Sequence, residues 1–122
     1  MKKYIDGFLL VVPKNKLKAY RDLAMKAGEV WMDHGALEYR ECMGDDLKTH
    51  IGLPFPGLVK LKRNESVVFS WIVYRSRSHR DKTNEKVMKD PRFAAMMNLD
   101  MPFDMKRMSH GGFEVLVDLE SK

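Results

Sequence analysis

The stretch Val67–Tyr74 constrains the fold more than any other part of the chain, together with the basic segment that follows it. We call this segment, Arg75–Asp81, the elbow. The stretch Val67–Tyr74 is mostly apolar at both alternating positions, and Phe69 and Trp71 share one side. This pattern predicts a strand that is buried on both faces. Ser78-His79-Arg80-Asp81 has the Ser-x-x-Asp spacing of a helix start, where serine caps the helix and the acid lies in its first turn. The sequence therefore predicts a central strand that leads into a helix capped by Ser78.

Four other segments carry regular patterns. Tyr4–Val12 is almost continuously apolar and predicts a second strand buried on both faces. Leu37–Gly44 alternates as a half-exposed strand, and Gly111-Gly112 introduces a last strand that runs to Leu119. A long amphipathic helix is predicted from apolar residues that recur at steps of three and four and end before Gly35. These residues are Leu17, Tyr20, Ala24, Ala27, Trp31 and His34.

The order of these segments predicts the fold class. Strand, helix, strand, strand, helix, strand is the order of the ferredoxin-like α+β fold, β-α-β-β-α-β, in which two helices cover one face of a four-stranded antiparallel sheet. A chain of 122 residues is long enough for one such core and too short for two. We therefore expect a single ferredoxin-like domain over residues 1–122.

Two segments fit that plan less directly. Residues 45–64 contain Pro54 and Pro56 but are too apolar for a flexible linker. We expect an ordered excursion that covers apolar surface, with a short strand near Leu58–Leu61. Asp90-Pro91 predicts the start of a short helix across Phe93–Met97. Six of the ten methionines fall in residues 88–108, where flexible thioethers either form a lid over an apolar pocket or fill gaps under a long connection.

The apolar character of the sheet predicts an assembly. Two helices can cover only one face of four strands, yet two strands are apolar on both faces. The uncovered face needs another surface, and a second copy of the chain is the simplest supplier. We therefore expect a homodimer joined sheet face to sheet face.

Charge and cysteine usage narrow the possible partners. The window from Lys60 to Lys82 holds seven basic residues against Glu65 and Asp81, which accounts for the whole net charge of +5. A local basic excess favours an anionic partner, although a solvated basic face is the alternative. Cys42 is the single cysteine, which indicates a reducing cytoplasmic location. No apolar run approaches the roughly 20 residues of a membrane span, so we expect no membrane partner.

Several motifs together resemble the YbaA-like family of bacterial proteins of unknown function, within the dimeric α/β-barrel superfamily. The motifs are Tyr4–Phe8, His34–Tyr39, Ser76–Asp81 with Asn84–Met88, and Phe103–Met108 before Gly111–Glu114. The resemblance implies the ferredoxin-like fold and the dimer, but no activity. Superfamily members include cofactor-free quinol-type monooxygenases, and the resemblance implies a ligand between the sheet and the helices.

The elbow holds the predicted site. We interpret His79 as a catalytic base, because its usual pKa lies near neutrality and a helix N-terminus disfavours its charged form. Arg75, Arg77 and Arg80 would bind an anionic ligand beside it, with Tyr74 and Asn84 as further ligand-binding residues. The alternative is an exposed first-turn histidine whose neighbouring arginines pair with acids. Tyr20, Trp31 and Trp71 line the same pocket or belong to the core.

The sequence lacks the motifs of several site types. The four histidines and Cys42 show no metal-ligand spacing, and we expect no metal and no cofactor. We therefore predict a protein that binds a small anionic or partly apolar metabolite, with cofactor-free monooxygenase-like or isomerase-like chemistry. The alternative is an RNA-binding, interaction or regulatory role of the basic residues 60–82, although the RNA-recognition signature is absent from the third strand.

Overall fold

The computed structural model describes residues 2–121, with four strands and four helices. All of them except the helix α2 follow the predicted order. The strands are β1 (Tyr4–Pro13), β2 (Glu38–Met43), β3 (Glu65–Tyr74) and β4 (Ser109–Glu114). The helices are α1 (Leu17–Asp33), α2 (Phe55–Leu58), α3 (Arg77–Met88) and α4 (Pro91–Met97). Short 3-10 turns lie at Lys14–Lys16 and Met105–Arg107.

The sheet has the strand order β2-β3-β1-β4, and every neighbouring pair is antiparallel. Side chains alternate between the faces of a strand, so the register places Asp6, Phe8 and Leu10 on one face. On that face Leu10 packs with Tyr20 and Ala24 of α1. The predicted ferredoxin-like α+β fold, with the two long helices α1 and α3 on one face of the sheet, is confirmed.

The helix starts and ends follow local chemistry. Gly35 has a φ of +107°, so it ends α1 in the left-handed conformation that the sequence predicts for a C-terminal glycine. Asp90 caps α4 by accepting the backbone N–H of Arg92, as predicted. The predicted cap of α3 is wrong by two residues. Ser76, in an extended conformation, accepts the N–H of His79, because a cap must lie outside the helix and reach its third residue.

The predicted short strand near Leu58–Leu61 is also wrong. Phe55–Leu58 forms the single-turn helix α2, since Pro56 lies in the first turn, where a missing N–H costs nothing. Lys60 then has a φ of +51°, which is incompatible with an extended strand. The excursion is nevertheless ordered. Arg107 donates hydrogen bonds to the carbonyls of Val59 and Lys60 and to Glu65.

The last strand begins and ends earlier than the sequence predicts. Gly111 and Gly112 lie within β4, opposite Gly7 and Asp6 of β1. Pairing stops at Glu114 because its partner, Tyr4, is the first residue of β1. The next residue only donates its N–H to the carbonyl of Lys3. Residues 115–121 therefore leave the sheet and form no further strand or helix.

The face of the sheet away from the helices is only partly covered. Phe55 from the excursion lies 6.2 Å from Phe69, measured between ring centroids, and Val11 and Val67 on this face are buried. Phe69 remains 44% exposed and Phe113 63% exposed. We call this surface the open sheet face.

Candidate functional site

A cavity of about 240 Å³ lies between the helix side of the sheet and the helices α1 and α4. It exceeds the roughly 150 Å³ of an engineered apolar cavity that binds benzene, and lies just below the usual range for drug-sized ligands. Its walls are mostly apolar and aromatic. They include Phe8, Leu23, Ala27, Trp31, Ile72, Phe93 and Phe103, and the methionines Met96, Met97, Met101, Met105 and Met108.

The methionine-rich segment, residues 88–108, forms part of the cavity wall. Five of the six methionines in residues 88–108 line it, since α4 and the following turns cross the open end of the space between α1 and the sheet. Thioether side chains adapt to different ligand shapes. The aromatic side chains of Tyr20 and Trp31 line the cavity, whereas Tyr74 lies outside its lining. The Trp71 side chain lies on the other face of the sheet, where it packs against Phe69.

A carboxylate supplies the main polar feature of the cavity wall. Glu41 of β2 lies opposite Ser70 on the helix side of the sheet, and both residues line the cavity. The hydroxyl of Tyr20 donates a 2.6 Å hydrogen bond to Oε1 of Glu41. The hydroxyl of Tyr39 donates a 2.9 Å bond to Oε2. An ionised carboxylate has about four lone-pair positions, so two acceptor positions remain for a ligand.

The two tyrosines are fixed as donors. Burial raises the pKa of Tyr20 well above its usual value, and the charge of Glu41 raises it further. The pKa of Tyr39 is raised by the same two causes in the same order. Both hydroxyls therefore keep their protons throughout the physiological pH range and hold the carboxylate in one orientation.

The same three side chains form the wall between the cavity and an outer groove. This groove, of about 1040 Å³, runs between α1 and β2, and Tyr20, Tyr39 and Glu41 line both spaces. Gly28 of α1 permits this arrangement. A Cβ atom at Gly28 would lie 2.8 Å from Cδ1 and from Cε1 of Tyr39, which is closer than nonbonded carbons approach.

A second polar cluster lies behind the cavity. The indole N–H of Trp31 donates to Oδ1 of Asn84 at 3.1 Å, and the hydroxyl of Tyr74 lies 3.3 Å from the same oxygen. Asp6, which is 8% exposed, also contacts Tyr74 and Asn84, and Arg80 lies 3.8 Å from it. Burial raises the pKa of Asp6, and the charge of Arg80 opposes this shift.

Arg80 is the best-packed of the three predicted arginines. Its guanidinium lies over the Tyr4 ring at 4.9 Å from the centroid and donates to the Tyr4 hydroxyl at 3.1 Å. Its Nε lies 3.2 Å from Asp81 but has no hydrogen-bond partner among the described residues. Arg75 and Arg77 are exposed. The structure thus brings Tyr74, Asn84 and Arg80 together around Asp6 and leaves the other two arginines apart.

His79 borders this cluster but lies outside the cavity lining. Its Nδ1 accepts the backbone N–H of Arg75 at 2.9 Å, and its ring packs edge-on against Tyr74. Burial lowers the pKa of His79, with a further lowering from Arg75, while a hydrogen bond to the Gly35 backbone raises it. These contacts connect the elbow to the end of α1. The role of His79 as a base stays a prediction.

The sequence prediction missed Glu41, which carries the polar chemistry of the cavity. Tyr39, Glu41 and Met43 lie on the same face of β2. A single charged residue on the apolar face of an alternating strand is the signal that identifies it. The contact with Tyr20 depends on how α1 crosses the sheet, which local patterns do not reveal.

The remaining histidines have other contacts. Nε2 of His34 lies 2.8 Å from Oδ2 of Asp90, which joins the end of α1 to the start of α4. His110 stacks on Phe8, with ring centroids 5.9 Å apart. Across residues 2–121 no group of three or more His, Cys, Asp or Glu residues is placed to hold a metal ion. No helix in the described part of the chain is long and apolar enough to cross a membrane.

In the folded chain the basic residues of the window 60–82 form two separate groups, because β3 lies between them. Lys60, Lys62 and Arg63 precede β3, and the other basic residues of the window follow it. The ten residues of β3 separate the two groups by roughly 30 Å. The local charge excess of the sequence is therefore not one continuous basic surface.

Comparison of the sequence with known proteins identifies the family to which this chain belongs. Residues 3–105 match the family described as "Protein of unknown function (DUF1428)". The uncharacterized protein YbaA of Escherichia coli strain K12 is 46% identical over 116 residues, which cover 95% of this chain and 98% of YbaA. The resemblance to the YbaA-like family is therefore confirmed.

Solved structures with the same fold are much more distant in sequence. A NIPSNAP domain protein from Burkholderia xenovorans has a TM-score of 0.61 at 13% identity and covers 97% of this chain and 99% of its own. A dimeric ferredoxin-like protein from an uncultured marine organism has a TM-score of 0.61 at 12% identity, with coverages of 98% and 100%. A variant of SnoaB, a cofactor-independent oxygenase from Streptomyces nogalater, has a TM-score of 0.59 at 12% identity, with coverages of 99% and 100%. At these identities the likeness establishes the fold alone.

Proposed function

The chain belongs to the DUF1428 family, and from its own geometry we propose that it binds a small, largely apolar ring compound in the cavity between sheet and helices. We propose further that Glu41 removes a proton from that compound without a cofactor. The observation that carries this proposal is a carboxylate held by two tyrosine hydroxyls in the wall of an otherwise apolar cavity.

The size and lining of the cavity define the ligand class. A volume of about 240 Å³ suits a compact molecule of one or two rings, which aromatic and thioether side chains would contact on both faces. The polar groups Glu41 and Ser70 offer hydrogen-bond acceptors to the ligand. The ligand is therefore a proton donor, such as a phenol or a ketone with an acidic C–H group. The predicted anion-binding arginines lie outside this cavity, and an anionic ligand is less well supported than a neutral one.

The proposed chemistry is general base catalysis. Glu41 accepts the ligand proton, and the enolate or phenolate that forms either regains a proton at another carbon or reacts with O2. The first outcome is an isomerisation and the second is a cofactor-free oxygenation. The fold shared with SnoaB, a cofactor-independent oxygenase, supports the second outcome by analogy only. A positioned base of this type contributes about 10²- to 10⁴-fold in rate.

The test uses proton exchange, which needs no knowledge of the physiological substrate. The two-ring ketone 2-tetralone is incubated with the protein in D2O, and loss of the C1 proton signal is followed by ¹H NMR. We expect exchange above the buffer rate and a loss of at least tenfold in Glu41→Gln, which keeps the side-chain size. Glu29→Gln is the matched control, since Glu29 lines the outer groove but not the cavity.

His79→Gln separates the two candidate bases. If exchange is lost in His79→Gln and retained in Glu41→Gln, the proposal is wrong and the histidine prediction is supported. Equal exchange in all variants and in buffer also contradicts the proposal. Circular dichroism spectra of each variant establish that a loss of rate is not a loss of fold.

We also propose that the protein is a cytoplasmic homodimer joined through the open sheet face. Phe69 and Phe113 remain exposed on that face, and exposed aromatic residues on one surface are typical of interfaces. A structural neighbour is a dimeric ferredoxin-like protein, which supports the same assembly. Native mass spectrometry at micromolar concentration should give a dimer, and a monomer alone would contradict it.

A further inference from the structure

The strand β2 leaves one side of its backbone without a partner strand. It forms an edge of the sheet and pairs with β3 alone. The N–H of Gly44 donates to the carbonyl of Val67, and hydrogen-bonded positions alternate along an antiparallel pair. Every second residue before Gly44 therefore also bonds to β3, and the backbone groups of the residues between them point away from the sheet. These outward residues are Tyr39, Glu41 and Met43.

The free edge of β2 faces the outer groove between α1 and β2. The carboxylate of Glu38 accepts the indole N–H of Trp71 on the other face of the sheet, yet Glu38 also lines the groove. The groove therefore reaches the main chain of β2 and not only its side chains. Within residues 2–121, one exposed hydrogen bond is made to the outward groups, from the guanidinium of Arg40 to the carbonyl of Tyr39 at 3.3 Å.

Flexible apolar side chains line the groove beside this edge. Met25 and Met32 of α1 are 58% and 45% exposed, and Met43 of β2 is 60% exposed. We call these three residues the groove methionines. Thioethers adapt to different side chains and are frequent on surfaces that bind peptides. The volume of about 1040 Å³ reaches the upper limit for small-molecule pockets, so the groove suits an extended chain better than a compact ring.

The helix α1 and the strand β2 run in opposite directions along the groove. Tyr20, near the start of the helix, donates to Glu41, whereas Gly28, further along, lies against the ring of Tyr39. The start of α1 therefore lies beside the end of β2, close to Met43.

That end of the groove is basic. Lys18 and Arg21 lie in the first two turns of α1 and line the groove. Neither of them forms a salt bridge with any other of the described residues. The acids Glu29 and Asp33 line the groove towards the other end of α1, and Asp33 pairs with Arg92. Two positive charges are therefore available to an anionic group beside the end of β2.

We propose that the groove binds the extended, apolar C-terminal end of a partner protein, which adds to β2 as a fifth strand. Its terminal carboxylate lies beside Lys18 and Arg21, so the added strand runs parallel to β2. Its alternate side chains contact the groove methionines. In strand addition the backbone provides affinity and alternate side chains provide specificity, and capture of a C-terminal carboxylate is a further recurrent mode of recognition.

The proposed peptide site is separate from the cavity that would bind the ring compound. The groove methionines do not line that cavity, so binding at the two places is read from different methyl groups. A failure of peptide binding therefore leaves the proton-exchange test of Glu41 unaffected, and a failure of proton exchange leaves the peptide site unaffected.

The test uses the chain with ¹³C-labelled methionine methyl groups and the peptide acetyl-Thr-Leu-Thr-Leu-Thr-Leu, which is as long as β2. Titration to millimolar peptide should shift the signals of the groove methionines. The cavity methionines Met96 and Met97 should stay unchanged. Shifts confined to the cavity methionines, or no shifts, would overturn the inference.

Amidation of the peptide C-terminus isolates the role of its charge. The wild type should bind the free carboxylate about fivefold more tightly than the amide, which is the ratio expected from exposed ion pairs. Combined Lys18→Gln and Arg21→Gln should remove this preference. Lys26→Gln is the matched control, since Lys26 lies on α1 outside the groove lining, and it should retain the preference. Equal binding of both peptides by the wild type would contradict the inference.

Methylation of the peptide amide nitrogens tests the strand pairing. Successive amides of a strand point to opposite sides, so only one alternating set can bond to β2. Methylating that set should abolish the shifts of the groove methionines, and methylating the other set should leave them. Equal effects of both sets would show that β2 does not pair with the peptide.

Two other occupants of the groove would give different results. Decanoate has a carboxylate and an apolar chain but no amides. If it shifts the groove methionines as strongly as the peptide, the groove binds a fatty acid and the inference is wrong. If the groove methionines respond to dilution of the protein alone and not to peptide, a second copy of the chain occupies the groove and the inference is also wrong.

Discussion

Replacing Gly28 by alanine should destabilise the protein, although the same change stabilises most helices. In an unhindered helix interior, glycine to alanine gains about 1 kcal/mol. At Gly28 the new Cβ would lie 2.8 Å from two carbons of the Tyr39 ring, against an ordinary separation of about 3.5 to 4 Å. The ring must therefore move by roughly 0.7 to 1.2 Å, and overpacking of this kind costs about 1 to 3 kcal/mol.

The displaced ring also weakens the hydrogen bond from Tyr39 to Glu41, which is now 2.9 Å. A hydrogen bond to a charged group is worth about 1.5 to 3 kcal/mol. The two losses together exceed the helix gain, so we expect Gly28→Ala to lower the free energy of unfolding by about 1 to 3 kcal/mol. Urea unfolding at one fixed protein concentration measures this change, with an unchanged slope as the check that only stability has altered.

Two further variants isolate the cause. Gly57→Ala makes the same substitution in the short helix α2, where nothing lies within 4 Å of the new Cβ, and it should be neutral or slightly stabilising. In a Tyr39→Ala background the steric conflict is absent, so Gly28→Ala should there recover the helix gain of about 1 kcal/mol. If Gly28→Ala stabilises the otherwise unchanged protein as much as it does this background, the packing account is wrong.

Three other predictions concern a cap, a buried acid and the alternative function. Ser76→Ala should lower the free energy of unfolding by about 1 kcal/mol in thermal or urea unfolding, whereas Ser78→Ala should leave it nearly unchanged; the reverse order would contradict the cap assignment. Burial raises the pKa of Asp6, so Asp6 binds its proton more tightly in the folded protein than in the unfolded chain. The stabilisation that comes from this proton is therefore complete below the pKa of Asp6 in the unfolded chain. It is lost as the pH rises through the pKa of Asp6 in the folded protein. The stability of the wild type relative to Asp6→Asn should thus increase as the pH falls from 7 towards 4 in urea unfolding, and a constant difference would refute this. A single-stranded RNA should give no salt-sensitive shift at low ionic strength, and a shift that disappears on replacing Arg75 and Arg77 would restore the RNA-binding alternative.

The sequence predicted those elements whose signals are local. The long apolar stripe of α1 and the Asp90-Pro91 start of α4 are both correct, because helix periodicity and capping depend on neighbouring residues. The end of β4 was not predicted, because it depends on where β1 begins. Two prolines in the excursion also do not distinguish a bent strand from the single-turn helix that contains Pro56.

The candidate site was harder to predict for the same reason. The sequence places Arg75, Arg77 and His79 close together along the chain, yet none of them lines the cavity. Its polar group comes from β2, and Tyr20 reaches it from α1, about twenty residues earlier in the chain. A contact between two elements depends on how the helix packs on the sheet, and no local pattern records that packing.

The central claim is that the ligand occupies the cavity between sheet and helices, and the methionines test it directly. The methyl groups of methionine are labelled with ¹³C, and the two-ring phenol 1-naphthol is titrated while methyl spectra are recorded. Binding in the cavity predicts shifts at the wall methionines Met96, Met97, Met101, Met105 and Met108. The groove methionines Met25, Met32 and Met43 should stay unchanged. Shifts confined to the groove methionines, or no shifts at saturating naphthol, would contradict the account.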